Sequence, residues 1–466
     1  MSRLIVVSNR VTPPAGKGEE SVGGLAMALA AALREYSGIW FGWSGRTTAE
    51  FTGQIQMQRA EGVTIATVDL EEADYQEYYN GFANKTLWPL CHYRIDLAAY
   101  DRAFGEGYER VNNRFAETLR PLVDPDDLIW VHDYHMIPLG RELRRLDVKN
   151  RIGFFLHVPW PARQLVSTLP RHRQLVQALF DYDLVGFQTE EYLQAFEEYV
   201  IAEAGGERLP DGRLRAFGRT LTVGAFPIGI DAAEFEDLVR TPRGRRTHDI
   251  MAAHTVFRSL IVGVDRLDYS KGLEERFLGF ERFLADYPDL RREVLFLQVA
   301  PVSREGVEAY QEIRARLDAL SGRINGEYAD LDWNPIRYVN RNYRRDELAG
   351  LYRAARIGLV TPLRDGMNLV AKEFVAAQDP ENPGVLILSR FAGAANQMRE
   401  ALLVNPNSPE EISEALKRAM AMELPERIRR WRALYENVSR EDVTAWRDSF
   451  VGALEGLTAR RTALAS

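Results

Sequence analysis

Short apolar runs alternate with stretches of helical spacing through the first half of the chain. Leu4–Ser8, Ile39–Trp43, Val63–Leu70, Leu128–Val131, Ile152–His157, Leu184–Phe187 and Leu221–Ala225 are rich in β-branched and aromatic side chains, the pattern of buried strands. Between them, Leu25–Arg34, Tyr108–Leu119 and Glu190–Ala204 carry apolar positions on one helical face. The texture changes after Pro227-Ile228-Gly229-Ile230-Asp231, and Arg240 to Arg246 is a basic, Pro- and Gly-containing stretch expected to lie exposed on the surface. A second series of strands follows: Ser259–Val264, Val294–Val299, Ile336–Val339, Ile357–Val360 and Val385–Leu388. Strand alternating with helix implies a parallel sheet covered on both faces, so the expected fold is α/β with two doubly wound domains. The boundary is expected near residues 232–252 and is taken as 1–235 and 236–439. The tail, from Ser439-Arg440-Glu441-Asp442, has a Ser-x-x-Asp helix start, then Val443, Trp446, Phe450, Leu454 and Leu457 on one face. Residues 440–466 must bury that stripe.

Length supports the division, because 466 residues exceed one ordinary hydrophobic core. The formal net charge of -8, with no basic or acidic tail, argues against a nucleic-acid partner. An anion must then be held by local basic groups. The single cysteine, Cys91, cannot close an intrachain disulfide, and no Cys/His cluster has zinc-ligand spacing. No stretch approaches the ~18 apolar residues of a membrane span, and the apolar run at Leu4–Val7 is too short for a signal segment. A cytoplasmic protein without a membrane partner is expected.

In open α/β sheets ligands gather outside the carboxyl ends of the strands, so polar residues that directly follow strands carry the candidate chemistry. Ser259–Val264 runs into Asp265-Arg266-Leu267-Asp268-Tyr269-Ser270-Lys271-Gly272. There Arg266 and Lys271 either bracket a diphosphate or pair with Asp265 and Asp268. Ile357–Val360 leads through Leu363-Arg364-Asp365-Gly366-Met367-Asn368 into a helix carrying Leu369, Val370 and Glu373, whose open N-terminus favours an anion. Arg304 follows Val294–Val299 and offers one more cation. In the first half, Ser8-Asn9-Arg10 follows the first strand, and Gly23-Gly24 opens a helix where a backbone can approach a ligand closely. His132-Asp133-Tyr134-His135 and His157-Val158-Pro159-Trp160 end two further strands. Tyr78, Tyr79 and Trp88 suit either a sugar-stacking wall or a core. No fourth ligand accompanies His132, Asp133 and His135, so no metal is expected.

Val6-Val7-Ser8-Asn9-Arg10, Trp40-Phe41-Gly42-Trp43-Ser44-Gly45, His132-Asp133-Tyr134-His135, Arg266-Leu267-Asp268-Tyr269-Ser270-Lys271-Gly272 and Asp365-Gly366-Met367-Asn368-Leu369-Val370-Ala371-Lys372-Glu373 stand in this order along the chain. With these motifs the sequence closely resembles the bacterial trehalose-6-phosphate synthase family of retaining glycosyltransferases, over nearly its whole length. The resemblance implies two Rossmann-like domains facing across a cleft (the GT-B type), with the tail helix packed back on the first. It also implies transfer of glucose from a nucleotide-glucose, typically UDP-glucose, to glucose 6-phosphate, without cofactor or metal. Carried over position by position, the donor meets Gly23, Gly24, Arg266, Lys271, Tyr343, Asp365, Leu369, Val370, Ala371, Lys372 and Glu373. The acceptor meets Arg10, Tyr79, Asp133 and Arg304. Trp88 and His157 match positions linked to the anomeric outcome, and relatives form homo-oligomers, dimers or tetramers. The Gly- and Glu-rich loop Ala15–Ser21 is a candidate lid over the donor. After His157 the family commonly reads Ile-Pro-Phe-Pro, where this chain has Val158-Pro159-Trp160-Pro161-Ala162-Arg163. Two other readings stay open: a related synthase with another sugar-phosphate or polyol acceptor, and a non-catalytic sugar-phosphate sensor. A glycosidase is disfavoured, because no pair of carboxylates is placed by motif as acid and nucleophile.

Overall fold

The computed structural model describes residues 3–11, 29, 33, 38–60, 62–303 and 307–464, the side chains of 458–464 excepted. The described residues cluster into two compact units, those of 3–227 with 444–464 in one and those of 228–443 in the other. The division falls at Pro227/Ile228 rather than at 235/236, and a cut at 235 would split the helix Ala232–Arg240.

Among the described residues the first unit holds a ten-stranded sheet. Its parallel strands run in the order Val63–Glu71, Ile39–Thr48, Leu4–Arg10, Leu128–His132, Arg151–Phe155, Leu184–Phe187 and Arg219–Ala225. The first strand therefore lies inside the sheet, and strand order reverses between Leu4–Arg10 and Leu128–His132. Antiparallel strands Gln56–Ala60, Leu214–Ala216 and Glu207–Arg208 extend the two edges. Gln56–Ala60 is almost wholly exposed, so no apolar alternation marks it in the sequence.

The second unit holds a six-stranded parallel sheet in the order Ile336–Val339, Val294–Val299, Ser259–Val264, Ile357–Val360, Val385–Ser389 and Leu402–Val404. Numbered within the unit this is 3-2-1-4-5-6, the dinucleotide-fold order, with its switch point between Ser259–Val264 and Ile357–Val360.

The basic stretch at Arg240–Arg246 is largely exposed, and it is helical. Thr241 Oγ1 accepts the Gly244 amide at 3.0 Å and Pro242 fills the first turn, starting the helix Pro242–His254. The tail also starts elsewhere than its Ser-x-x-Asp signal suggests. Ser439 lies in the last turn of the helix Leu424–Arg440, helical structure stops at Glu441–Asp442, and the last helix is Val443–Leu464. That helix packs within the first unit: Trp446 lies 4.9 Å from Trp130 and 5.3 Å from Phe155 between ring centroids, and Phe450 stacks on Trp130 at 4.7 Å. Gly153 and Gly186 admit it, since a Cβ at either would stand under 3 Å from the Phe450 ring. No helix among the described residues is long and apolar enough to cross a membrane.

Candidate active site

At the switch point of the second sheet, two strand ends are locked together by buried polar groups. Asp268 accepts the Ser270 amide and hydroxyl at 2.9 Å each through one oxygen and the Tyr310 hydroxyl at 3.0 Å through the other, fixing the turn Tyr269–Lys271. Gly272 continues it at φ +62, with Thr361 O only 2.2 Å from where a Cβ would sit, so glycine is required there. Lys271 thereby extends its ammonium to Asp365 Oδ2 at 2.5 Å, and Asn368 Nδ2 donates to the same oxygen at 3.1 Å. Asn368, left-handed at φ +78, also accepts the Ala371 amide and so caps the helix Leu369–Ala376. A cation, a carboxylate and a helix start share one network. Asp265 pairs with Arg276, so the alternative in which Asp265 and Asp268 absorb Lys271 is not the arrangement adopted. Arg266 is the exposed residue in the otherwise buried stretch from Leu260 to Ser270.

Beyond this network, Leu369 and Val370 are half-buried on the first turn of the helix, and Ala371 is buried. Lys372 departs from the donor-facing expectation. Its side chain is fully buried, its ammonium donates to the Ile228 carbonyl at 2.7 Å, and burial pulls it down to about 7 against the opposing charge of Glu441. Glu373, one residue on, is pushed up to about 7 by burial. Its nearest aids are weak, because the Tyr352 hydroxyl stands 3.5 Å away and Arg345 spends its guanidinium on Glu234 through two bonds of 2.6 and 2.8 Å. Tyr343 lies in the loop between Ile336–Val339 and the helix Arg345–Ala354, under the Arg341 guanidinium at 4.8 Å.

In the first unit the switch point again gathers the candidate residues. Arg10 ends the strand Leu4–Arg10 exposed, its guanidinium 5.9 Å from the Trp43 ring. Gly45, at φ +90, makes room, since a Cβ there would lie 2.8 Å from Arg10 Nε. Tyr79 belongs to a π-helix, Tyr75–Leu87, and its ring stands 5.5 Å from Trp43 and 6.0 Å from His135, nearly parallel to the latter. Such wide turns occur often at functional sites. Trp88, at the end of that segment, is buried with its ring 4.1 Å from His92 and 5.7 Å from Tyr134. Asp133 holds φ +75, unusual for a residue with a Cβ, and accepts the His157 amide at 3.2 Å. His157 is held at both ring nitrogens, Nε2 on His132 Nδ1 at 3.0 Å and Nδ1 on Gln188 Nε2 at 3.3 Å. Burial keeps it neutral, pushing it down to about 3, and holds His132 well below its usual range. Trp446 borders the pair, its ring 6.0 Å from His157 and 6.2 Å from His132.

Gly23, Gly24, Arg304 and the loop Ala15–Ser21 lie outside the described residues. Among the described residues no group of three or more His, Cys, Asp or Glu is placed to hold a metal ion. The departure at Trp160 is taken up by the core: the ring is buried edge-on to Phe196 at 5.0 Å, and Arg163 pairs with Glu203 at 2.7 Å. Sequence reasoning passed over Asn368, Tyr352 and Arg276. Arg276 had left a signal, a charge on the apolar face formed by Leu273, Phe277, Phe280 and Leu284.

The model of glycosyltransferase family 20 matches residues 2–456. The trehalose-6-phosphate synthase of Sinorhizobium fredii is 48% identical over 456 residues, 97% of this chain and 98% of its own. A crystal structure of an alpha,alpha-trehalose-phosphate synthase (UDP-forming) from Burkholderia xenovorans, in complex with glucose-6-phosphate, is 51% identical with a TM-score of 0.94, covering 97% of this chain and 100% of that one. A trehalose-6-phosphate structure from E. coli bound with UDP-2-fluoro glucose is 44% identical, with a TM-score of 0.93 over 97% of this chain and 99% of that one.

Proposed function

Because this chain belongs to glycosyltransferase family 20, we propose that it moves glucose from UDP-glucose to glucose 6-phosphate, forming α,α-trehalose 6-phosphate and UDP with retention at the anomeric carbon. The observation that carries the reading is the Lys271–Asp365–Asn368 network at the switch point of the second sheet. It sets a cation for phosphate beside a carboxylate for sugar hydroxyls, at the mouth of a helix.

In this reading Arg266 and Lys271 hold the donor diphosphate and stabilise the charge that grows on it as the C1–O bond breaks, often the largest catalytic contribution. Asp365 gives up Lys271 and takes glucose hydroxyls. Gly23 and Gly24 flank the donor, the Leu369–Ala371 turn and Tyr343 meet the nucleotide, and Glu373 accepts from the ribose diol. The Lys372 ammonium stays inside the fold. Arg10 and Arg304 bind the acceptor phosphate, with Tyr79 and Asp133 on its sugar. The acceptor's anomeric hydroxyl attacks the oxocarbenium-like C1 from the face the diphosphate leaves. Its proton passes to the departing phosphate oxygen, so UDP leaves and the new bond keeps the α configuration. Trp88 and the neutral His157 line the reacting sugar.

The experiment is UDP release from UDP-glucose with and without glucose 6-phosphate, with the product's anomeric configuration read by NMR. Release that needs glucose 6-phosphate and yields the α,α linkage supports the reading; release unaffected by any phosphorylated sugar, or none at all, overturns it. Light scattering on the purified chain tests the further expectation of a homo-oligomer.

A further inference from the structure

We infer that Arg276 is a positioning residue of the donor-phosphate site, a buried guanidinium that occupies Asp265 and so leaves the Lys271 ammonium available to the leaving diphosphate. The inference rests on the donor role proposed for Lys271. Arg276 belongs to the helix Leu273–Asp286 and has no exposed surface. Its Nη1 donates to Asp265 Oδ2 at 2.7 Å and Gln298 Oε1 at 2.9 Å, its Nε to Thr361 Oγ1 at 3.0 Å, and its Nη2 to the Lys271 carbonyl at 3.3 Å. One side chain thus ties the carboxyl ends of three neighbouring strands, Ser259–Val264, Val294–Val299 and Ile357–Val360, to the turn that presents Lys271.

The backbone is shaped around it. A Cβ at Gly263 would stand 2.7 Å from Arg276 Nη1 and 2.3 Å from Gln298 Oε1, so a glycine is needed for the guanidinium to reach the sheet end. Stability alone does not account for such an arrangement, because a buried ion pair is often no better than a well-packed apolar pair of the same volume.

Electrostatics supplies a reason. Asp265 is buried and faces Arg276 and Lys271, which favour its charge, and Asp365, which opposes it. With Arg276 present, the two carboxylates have two cations, and Lys271 makes its ion pair with Asp365, the group a sugar can relieve. Without Arg276, Lys271 becomes the remaining cation beside the buried Asp265 carboxylate, and it is drawn off the phosphate.

The test uses the full chain with UDP-glucose and glucose 6-phosphate, comparing R276Q with the charge-neutral pair D265N/R276Q. Where R276Q folds, its kcat is expected to fall about a hundredfold, the size of one lost preorganised charge contact, while the KM for glucose 6-phosphate stays put. The double variant removes the carboxylate that would capture Lys271 and the uncompensated buried charge that endangers folding. It is expected to keep more than about a tenth of the wild-type kcat. A folded double variant below that level, or R276Q at the wild-type rate, overturns the inference. An inactive wild type would instead overturn the proposed function.

Discussion

Replacing Glu373 by Gln should make the protein more stable above neutral pH and a poorer binder of the nucleotide. Burial raises the Glu373 carboxyl from 4.5 to about 7, a difference worth about 3 kcal/mol between protonation states. Partial contact with water reduces this to about 1–3 kcal/mol. The sign follows from proton counts. Between pH 4.5 and 7 the folded chain keeps a proton that the unfolded chain has shed, so wild-type stability falls as pH rises through that window. A glutamine carries no such penalty. The Tm advantage of E373Q should therefore be small at pH 5 and widen by about 3–10 °C at pH 8, at roughly 2–4 °C per kcal/mol for a unit of this size. Scanning calorimetry or dye-monitored melting of both proteins across that range measures it. A gap that stays constant with pH would refute the reasoning. A second arm uses Glu234, which engages Arg345 through two bonds: E234Q should free that guanidinium for Glu373 and shrink the widening. Isothermal titration with UDP should show E373Q about 10- to 100-fold weaker, the loss of charge-assisted bonds to the ribose.

Lys372 gives the opposite slope. Held at about 7 against 10.5, it makes the wild type gain stability as pH rises from 7 to 10.5, so K372M should help more at pH 6.5 than at pH 9.5 in paired melts; an equal effect at both would contradict the assigned burial cost, since the lost bond to the Ile228 carbonyl is common to both. W446A should destabilise the first unit by about 3–5 kcal/mol in denaturant titration. W446F should cost far less, because among the described residues the indole N–H has no hydrogen-bond partner, and equal costs would argue that the ring's packing is not what matters. R266A is expected to lower kcat by about two orders of magnitude in the UDP-release assay; a near-normal rate would remove Arg266 from the diphosphate site.

Much of the fold was legible because buried parallel strands are nearly continuous apolar runs, as in Leu128–Val131 and Val294–Val299, which stand out against polar flanks. The strand-end rule then singled out Arg10, Asp133, His157, Lys271 and Asp365 as candidates, and the structure has each at or just beyond the carboxyl end of a strand. What stayed hidden follows rules that spacing does not express. The π-helix Tyr75–Leu87 leaves no mark of its wider turn, because Tyr75, Tyr78, Tyr79 and Phe82 fit α spacing equally well. The positive φ of Asp133 leaves no trace in composition. Lys271 pairs with Asp365 while Arg276, from the following helix, takes Asp265, a division of partners that only tertiary packing displays. The Lys372 side chain sits within the family motif, yet it turns inward to a carbonyl 144 residues away in sequence.

The last helix has a consequence for how the protein is made. Trp130 and Phe155 belong to strands translated in the first third of the chain, but the rings that cover them, Trp446 and Phe450, come from the first turns of the last helix. On the ribosome, the unit begun first is the one finished last. Until that helix is made, its sheet carries an uncovered aromatic face, and a message cut short before Trp446 would deliver a chain prone to self-association.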